Sequence, residues 1–251
     1  TAITTGADGY VSFAKTQIGG RRNLIINGAQ VIDQRNGGSA VTTHTAFASD
    51  RFQLSFSNNG AQSLQQVSDA PSGFEKSVKY TQTTADSDLG TTQYGSIVYS
   101  PEGYDTAQLD WGASGAKTVT LSFWVKSSLT GTHGGSFINN AFDRSHPYSY
   151  TVNTADTWEY KTVTVTGDNS GTWLKTNGRG AYIYWCMGAG TSFLGTAGAW
   201  TGSGILGATG QVSHVGTLNS TLQITGVQLE VGTVATPFEH RSYGEELALC
   251  Q

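Results

Sequence analysis

Short runs in which apolar and polar residues alternate, each bounded by Gly, Asn, Asp or Ser, recur along the whole chain and restrict it to β structure. In Arg51–Ser57, Phe52, Leu54 and Phe56 point one way and Arg51, Gln53 and Ser55 the other. In Lys117–Lys126, Val119, Leu121, Phe123 and Val125 form one face, and Thr118, Thr120, Ser122, Trp124 and Lys126 the opposite one. In Trp158–Thr166, Val163 and Val165 oppose Tyr160, Thr162 and Thr164. Further strands are expected at Asn23–Asp33, Gln62–Val67, Lys76–Thr83, Tyr94–Ser100, Tyr148–Val152, Ala181–Met187 and Thr221–Val231. Such short strands with turn residues between them predict an all-β antiparallel sandwich, or jelly roll.

Two local features refine this reading. Within Thr221–Val231 the parity breaks: Leu222 and Ile224 share one face, while Val227, Leu229 and Val231 follow the other parity. Gly226 lies at the switch, where a β-bulge is expected. At the end of the chain, Ser242-Tyr243-Gly244-Glu245 fits a capping box before Leu247, Ala248 and Leu249, predicting a short C-terminal helix. Gly188–Gly216 is rich in Gly, Ala, Thr and Ser, and is expected to be a long surface excursion between two late strands. The expected organisation is a linker or attachment segment over 1–22, the β-sandwich over 23–241 and a helical segment over 242–251.

Composition excludes several classes. Charged residues make up 13 % of the 251, and Ala/Glu/Lys/Leu-rich stretches for a helical bundle are missing. The aromatic share of 11 % provides a core, which argues against disorder. No apolar run has the ~18 residues of a membrane helix, and no secretory signal pattern opens the chain. A net charge of −4 disfavours a broad nucleic-acid surface. The missing initiator Met suggests a trimmed or processed chain. Two cysteines, Cys186 and Cys250, make neither a disulfide framework nor a zinc site.

No nucleophile, zinc-protease or phosphate-loop motif is present, and the five histidines are scattered. Asp105, Asp110, Asp143, Glu102 and Glu159 are the acids available for a hydrolytic pair, with turn formation as the simpler reading. Asp86-Ser87-Asp88 and Asp168-Asn169-Ser170 offer oxygen donors for Ca²⁺, but lack EF-hand spacing, and Asx turns explain both. Aromatic residues in polar surroundings carry more: sugar rings have apolar C–H faces that stack on indole and phenol, while polar side chains bond the hydroxyls. Trp124 shares the parity of Thr and Ser. Trp111, Trp173 and Trp200 stand in Gly-rich contexts, and Tyr148 follows Asp143, Arg144 and His146. These eight residues are the candidate glycan contacts, with core packing as the alternative for each ring; Trp158 and Trp185 read as core.

Asn23-Leu24-Ile25-Ile26-Asn27-Gly28, Asp33-Gln34-Arg35, Asp50-Arg51-Phe52 and Leu121–Ser127, with Gly171-Thr172-Trp173, resemble a module of bacteriophage tail-fibre and related virion proteins. Gly226–Gly232, Ala235–Glu239, Ser242–Leu247 and Cys250-Gln251 carry the longest part of the resemblance. It implies a non-enzymatic structural protein of the virion, a tail-fibre or spike subunit in a homotrimer, with other virion proteins and a host-surface glycan as partners. Similar proteins continue past Cys-Gln with Arg-Tyr-Tyr, implying a truncated end here. The same strands also resemble carbohydrate-binding jelly rolls, whose closing strand commonly carries an Asp that helps hold a structural Ca²⁺. Thr225 stands at that position, so no cofactor is expected from it. A virion connector and a carbohydrate-binding module or polysaccharide depolymerase are the alternative functions.

Overall fold

The computed structural model describes the backbone of Ile3–Thr5 and Val11–Phe13, and residues 21–251. Of the expected linker over 1–22, residues 1–2, 6–10 and 14–20 lie outside the described residues. In chain order the elements are β1 (Ile3–Thr5), β2 (Val11–Phe13), β3 (Phe47–Ser49), β4 (Phe52–Ser57), β5 (Ala61–Val67), β6 (Ser77–Thr84), β7 (Tyr94–Tyr99), the single turn α1 (Gly103–Thr106), β8 (Val119–Ser127), β9 (Gly131–Ile138), β10 (Ser145–Val152), β11 (Glu159–Val165), β12 (Tyr182–Ala189), β13 (Leu194–Gly195), β14 (Gly207–Ala208), β15 (Thr221–Val231) and α2 (Tyr243–Cys250). Two antiparallel sheets, ordered β10-β9-β12-β7-β4-β3 and β11-β8-β15-β6-β5, pack face to face as a jelly-roll β-sandwich. No helix among the described residues is long and apolar enough to cross a membrane.

The alternating residues meet between the sheets. Phe52, Leu54, Ile97, Phe137, Ile183 and Trp185 come from one sheet, and Leu64, Val78, Leu121, Phe123, Leu222 and Leu229 from the other. The bulge at Gly226 has its expected effect. The register of β15 on β8 jumps between Thr225 and Gln228. Ile224 and Val227, of opposite sequence parity, therefore both reach the core.

Asn23–Asp33 is not a strand. Its backbone is held by two buried asparagines instead of a ladder. Asn23 Oδ1 accepts from the Ile25 and Leu229 amides (2.9 and 3.0 Å), and its Nδ2 donates to Val227 O (3.1 Å). Asn27, at φ +58°, donates Nδ2 to Ile32 O and Asp50 O (2.8 and 2.9 Å) and accepts from the Ile32 amide. Asparagine tolerates this left-handed backbone and satisfies the peptide groups that a strand would have paired. The C-terminal run locks onto the same segment. Ser242 caps α2 by accepting from the Glu245 amide, and buried Glu246 accepts from the Asn27 amide.

The excursion after β12 lies flat over the outer face of the six-stranded sheet. Leu206 and Phe193 cover Val98, Ile138, Tyr182, Tyr184 and Cys186, forming a second apolar layer. Val212 N donates to Thr132 O, and Gly198 N to Pro147 O (2.8 and 2.9 Å). The expected surface excursion is therefore a covering layer, with the parallel β13–β14 pair inside it.

Candidate functional site

The outer face of the five-stranded sheet carries an aromatic groove. Because Val119, Leu121, Phe123 and Val125 turn inward, β8 turns Ser122, Trp124 and Lys126 outward. Tyr160 of β11 stands directly across from Trp124, ring centroids 5.5 Å apart, and is 44 % exposed. Two loops bring the rest: Phe74 from the turn after Pro71, and Phe238 with His240 from the run after β15. Their rings interlock at 5.1, 5.4 and 4.9 Å. Gly226 adopts φ +59°, and a Cβ there would come within 2.7 Å of Phe74 and 3.1 Å of Trp124. The bulge glycine thus supplies both the left-handed backbone and the room for two rings.

Together these residues line a groove of about 600 Å³. Ser72, Ser122, Thr236 and His240 add polar groups to its walls. Further along the same face, Asp69 accepts from Lys126 Nζ (2.9 Å), Gln223 Nε2 (3.1 Å) and Trp158 Nε1 (3.3 Å). The Lys126 hydrogen bond is the main influence holding the Asp69 carboxyl below the usual carboxylate range. Trp158, expected in the core, is half-buried here with its indole N–H on Asp69. Trp185 is fully buried.

The other candidate contacts gather at a different place. Trp111, Trp173 and Trp200 pack edge to face at 4.7–5.4 Å, and His146 abuts Trp200 at 5.1 Å. Arg144 grips the buried Asp168 through two bonds of 2.9 and 2.6 Å. This pairing is the main cause of the raised Arg144 pKa. Trp111, Trp173, His146 and Tyr148 are buried, which corrects their reading as ligand contacts. Each indole N–H is already used: Trp111 on Lys117 O (2.8 Å), Trp173 on Ser170 O and Asp168 (3.2 and 3.3 Å), Trp200 on Thr166 O (2.7 Å). Tyr148 donates to Tyr184 O (2.8 Å). Asp143 is exposed and accepts from Asn139 in a turn (2.6 Å). The cluster plugs one edge of the sandwich, and only Trp200 and Arg144 remain partly exposed beside Asp143.

The acids considered for hydrolysis are dispersed, each on a partner of its own: Asp105 on Arg21, Glu102 on Arg51, Asp110 on Lys175, Glu159 on Lys161. Lys161 and the Asn153 and Thr154 amides hold the Glu159 carboxyl low, at about 2, against an opposing effect of burial. Among the described residues no group of three His, Cys, Asp or Glu is placed to hold a metal. Asp86 accepts from the Asn59 amide (2.9 Å), and Asp168 is taken by Arg144. Two of the scattered histidines do meet: His133 and His214 face each other at 5.2 Å inside the domain.

No protein-family model matches the sequence, and no curated protein matches it. Among solved structures, the chain is similar to a putative sugar binding protein from Bacteroides thetaiotaomicron (12 % identity, TM-score 0.46, covering 84 % of this chain and 100 % of that one). It is also similar to the enzymatically active domain of bacteriophage CBA120 tailspike protein 4 (12 % identity, TM-score 0.43, 83 % of this chain and 21 % of that one), spanning about a fifth of that chain. A third likeness is a family 11 carbohydrate-binding module from Clostridium thermocellum (13 % identity, TM-score 0.39, 80 % and 98 %).

Proposed function

We propose that this protein is a non-enzymatic glycan-recognition module of a virion appendage, a tail-fibre or spike subunit that acts in several copies, as a homotrimer. The observation that carries the glycan reading is the groove of Trp124, Tyr160, Phe74, Phe238 and His240. Aromatic faces with a few polar groups at their margin match the alternation of C–H faces and hydroxyls on a sugar. The virion reading rests on the motifs at both ends of the domain. The non-enzymatic reading is supported by acids that lie apart, each engaged by its own cation or turn. Affinity at one groove would be weak, and copies on one particle would multiply it by about 10²–10⁴.

Labelled protein is expected to bind intact host cells, and to lose that binding when surface sugars are oxidised with periodate. Trp124→Ala should weaken binding by about ten-fold, equivalent to about 1.4 kcal/mol, without lowering the melting temperature. Undiminished adsorption by a folded Trp124→Ala protein, or by oxidised cells, would rule the groove out as a glycan site. Failure of the assembled wild type to bind would favour the connector role.

A further inference from the structure

The aromatic groove is short of the side chains that hold neighbouring sugar hydroxyls. Among the described residues, no Asp, Asn, Glu, Gln, Lys or Arg lines it. Carboxylates, amides and guanidiniums are the groups that offer paired acceptors or donors to adjacent hydroxyls. The hydroxyls within the groove add little. Ser122 is 1 % exposed, and the Thr236 hydroxyl already donates to Glu230 Oε2 (2.7 Å). Ser72, Tyr160 and His240 are exposed, so their polar atoms stand at the mouth. Glu239 lies between Phe238 and His240 in the chain but turns away, accepting from the Arg22 and Asn23 amides (3.4 and 2.5 Å). What the groove offers instead is hydrocarbon. Phe74 and Phe238 are half-buried, so each keeps ring surface open to it, and Ala235 and Pro237 extend that wall.

This lining discriminates between sugars. A hydroxyl pressed against the phenylalanine wall gives up water and gains no partner. A methyl group in the same place gains by leaving water. An acetamido group brings an N–H and a C=O that meet the same lack of partners. A wall without carboxylate, ammonium or guanidinium offers nothing to an acidic or amino sugar. We propose that the groove selects a neutral 6-deoxyhexose, with its C6 methyl against Phe74 and Phe238 and a face of its ring on Trp124. The inference rests on the groove being the glycan site proposed above, and names the substrate class of that site. Burying one methyl is worth about four-fold in affinity. The unpartnered hydroxyl of the parent sugar raises the preference to about ten-fold.

The test titrates the full chain with pairs of sugars that differ only at C6: D-fucose and D-galactose, L-fucose and L-galactose, L-rhamnose and L-mannose, D-quinovose and D-glucose. N-acetylglucosamine serves as the alternative source of a methyl group. Binding is followed by the NMR signal of the Trp124 indole N–H. At least one 6-deoxy sugar should bind about ten-fold tighter than its parent and than N-acetylglucosamine. Phe238→Ala should cut that preference to about three-fold or less, leaving the parent sugar's affinity and the melting temperature unchanged. Phe238→Tyr, which puts a hydroxyl into the wall, should narrow it as well. Trp124→Ala should instead weaken both members of a pair by the same factor. Equal binding within every pair, tighter binding of N-acetylglucosamine, or an undiminished preference in the folded Phe238 variants would each overturn the proposal while leaving the groove a glycan site. Silence of the Trp124 signal toward every sugar would remove the groove reading, and this inference with it.

Discussion

Arg241→Met is expected to lower the free energy of unfolding by about 3–5 kcal/mol, the cost of opening a buried ion pair from one side. The Arg241 side chain is 4 % exposed. Its Nη1 donates to Ile25 O (3.1 Å), its Nη2 to Asn23 O (2.5 Å), and it lies 3.4 Å from both Glu239 and Glu246. Those carboxylates in turn accept the backbone amides of Asn23 and Asn27. One guanidinium thus ties the C-terminal run to the segment that enters the sandwich beside β15. Methionine fills most of the volume but leaves two carbonyls and two carboxylates without their donor. Urea denaturation should show a lower midpoint with an unchanged slope. Adding Glu246→Gln to Arg241→Met should cost less than the same change in the wild type, because the pair couples. A loss below about 1 kcal/mol would refute the clamp.

Mild acid should destabilise the domain through its two facing histidines. His214 is fully buried, with Nδ1 unpartnered and Nε2 3.4 Å from Ser127 Oγ. His133 stacks on Tyr150 at 5.5 Å, and its Nε2 meets Leu129 O at 3.1 Å. Burial pushes the His214 pKa down to about 3, and proximity to His133 adds to the shift. The His133 pKa is lowered too, again chiefly by burial, with Glu159 and Lys161 the charges that act on it. The unfolded chain therefore takes up protons below pH 6.5, where the folded chain does not. Stability is full above that pH and falls as the pH drops from 6.5 toward 3. His214 alone accounts for about 2 kcal/mol between pH 6.5 and 5, at about 1.4 kcal/mol per pH unit. Urea midpoints at pH 7.5 and 5 should differ accordingly, and His214→Gln should flatten the difference whatever its own stability. An unchanged pH dependence in that variant would refute the assignment.

Much of the β framework was legible because it depends on local alternation. The rows of β4, β8 and β15 are visible as apolar residues every second position, and the Gly226 bulge as a change of parity. The capping of α2 needed only a serine three residues before a glutamate. β9 was illegible for a physical reason: Gly134 and Gly135 leave no alternation to detect. A Cβ at Gly135 would fall 2.5 Å from the Tyr148 ring, and one at Gly134 2.6 Å from the Ala208 amide. Those glycines exist to let distant groups approach, which one strand's sequence does not reveal. Asn23–Asp33 misled in the opposite sense, because side-chain amides replaced the ladder that its apolar residues suggested.

The groove was partly legible. Trp124 stood out through its parity, but Phe74, Phe238 and His240 sit in loops whose meeting is a tertiary event. Tyr160 had the right parity without an apparent partner until β11 paired with β8. Gly-rich surroundings suggested exposure for Trp111 and Trp173. The loops instead fold over them, and Trp200 completes the packing from the excursion.

The layer formed by that excursion bears on how the protein fails. It is attached through short strands, scattered backbone bonds and a small apolar cluster, whereas the main core is continuous. Heating should release it first. Lifting it uncovers Val98, Ile138 and Tyr184 on a sheet that is otherwise intact, a sticky surface between like molecules. Thermal loss should therefore end in precipitation before the sandwich melts, with an apparent midpoint that depends on heating rate and protein concentration. Lifetime in solution would then be governed by how rarely one flap opens.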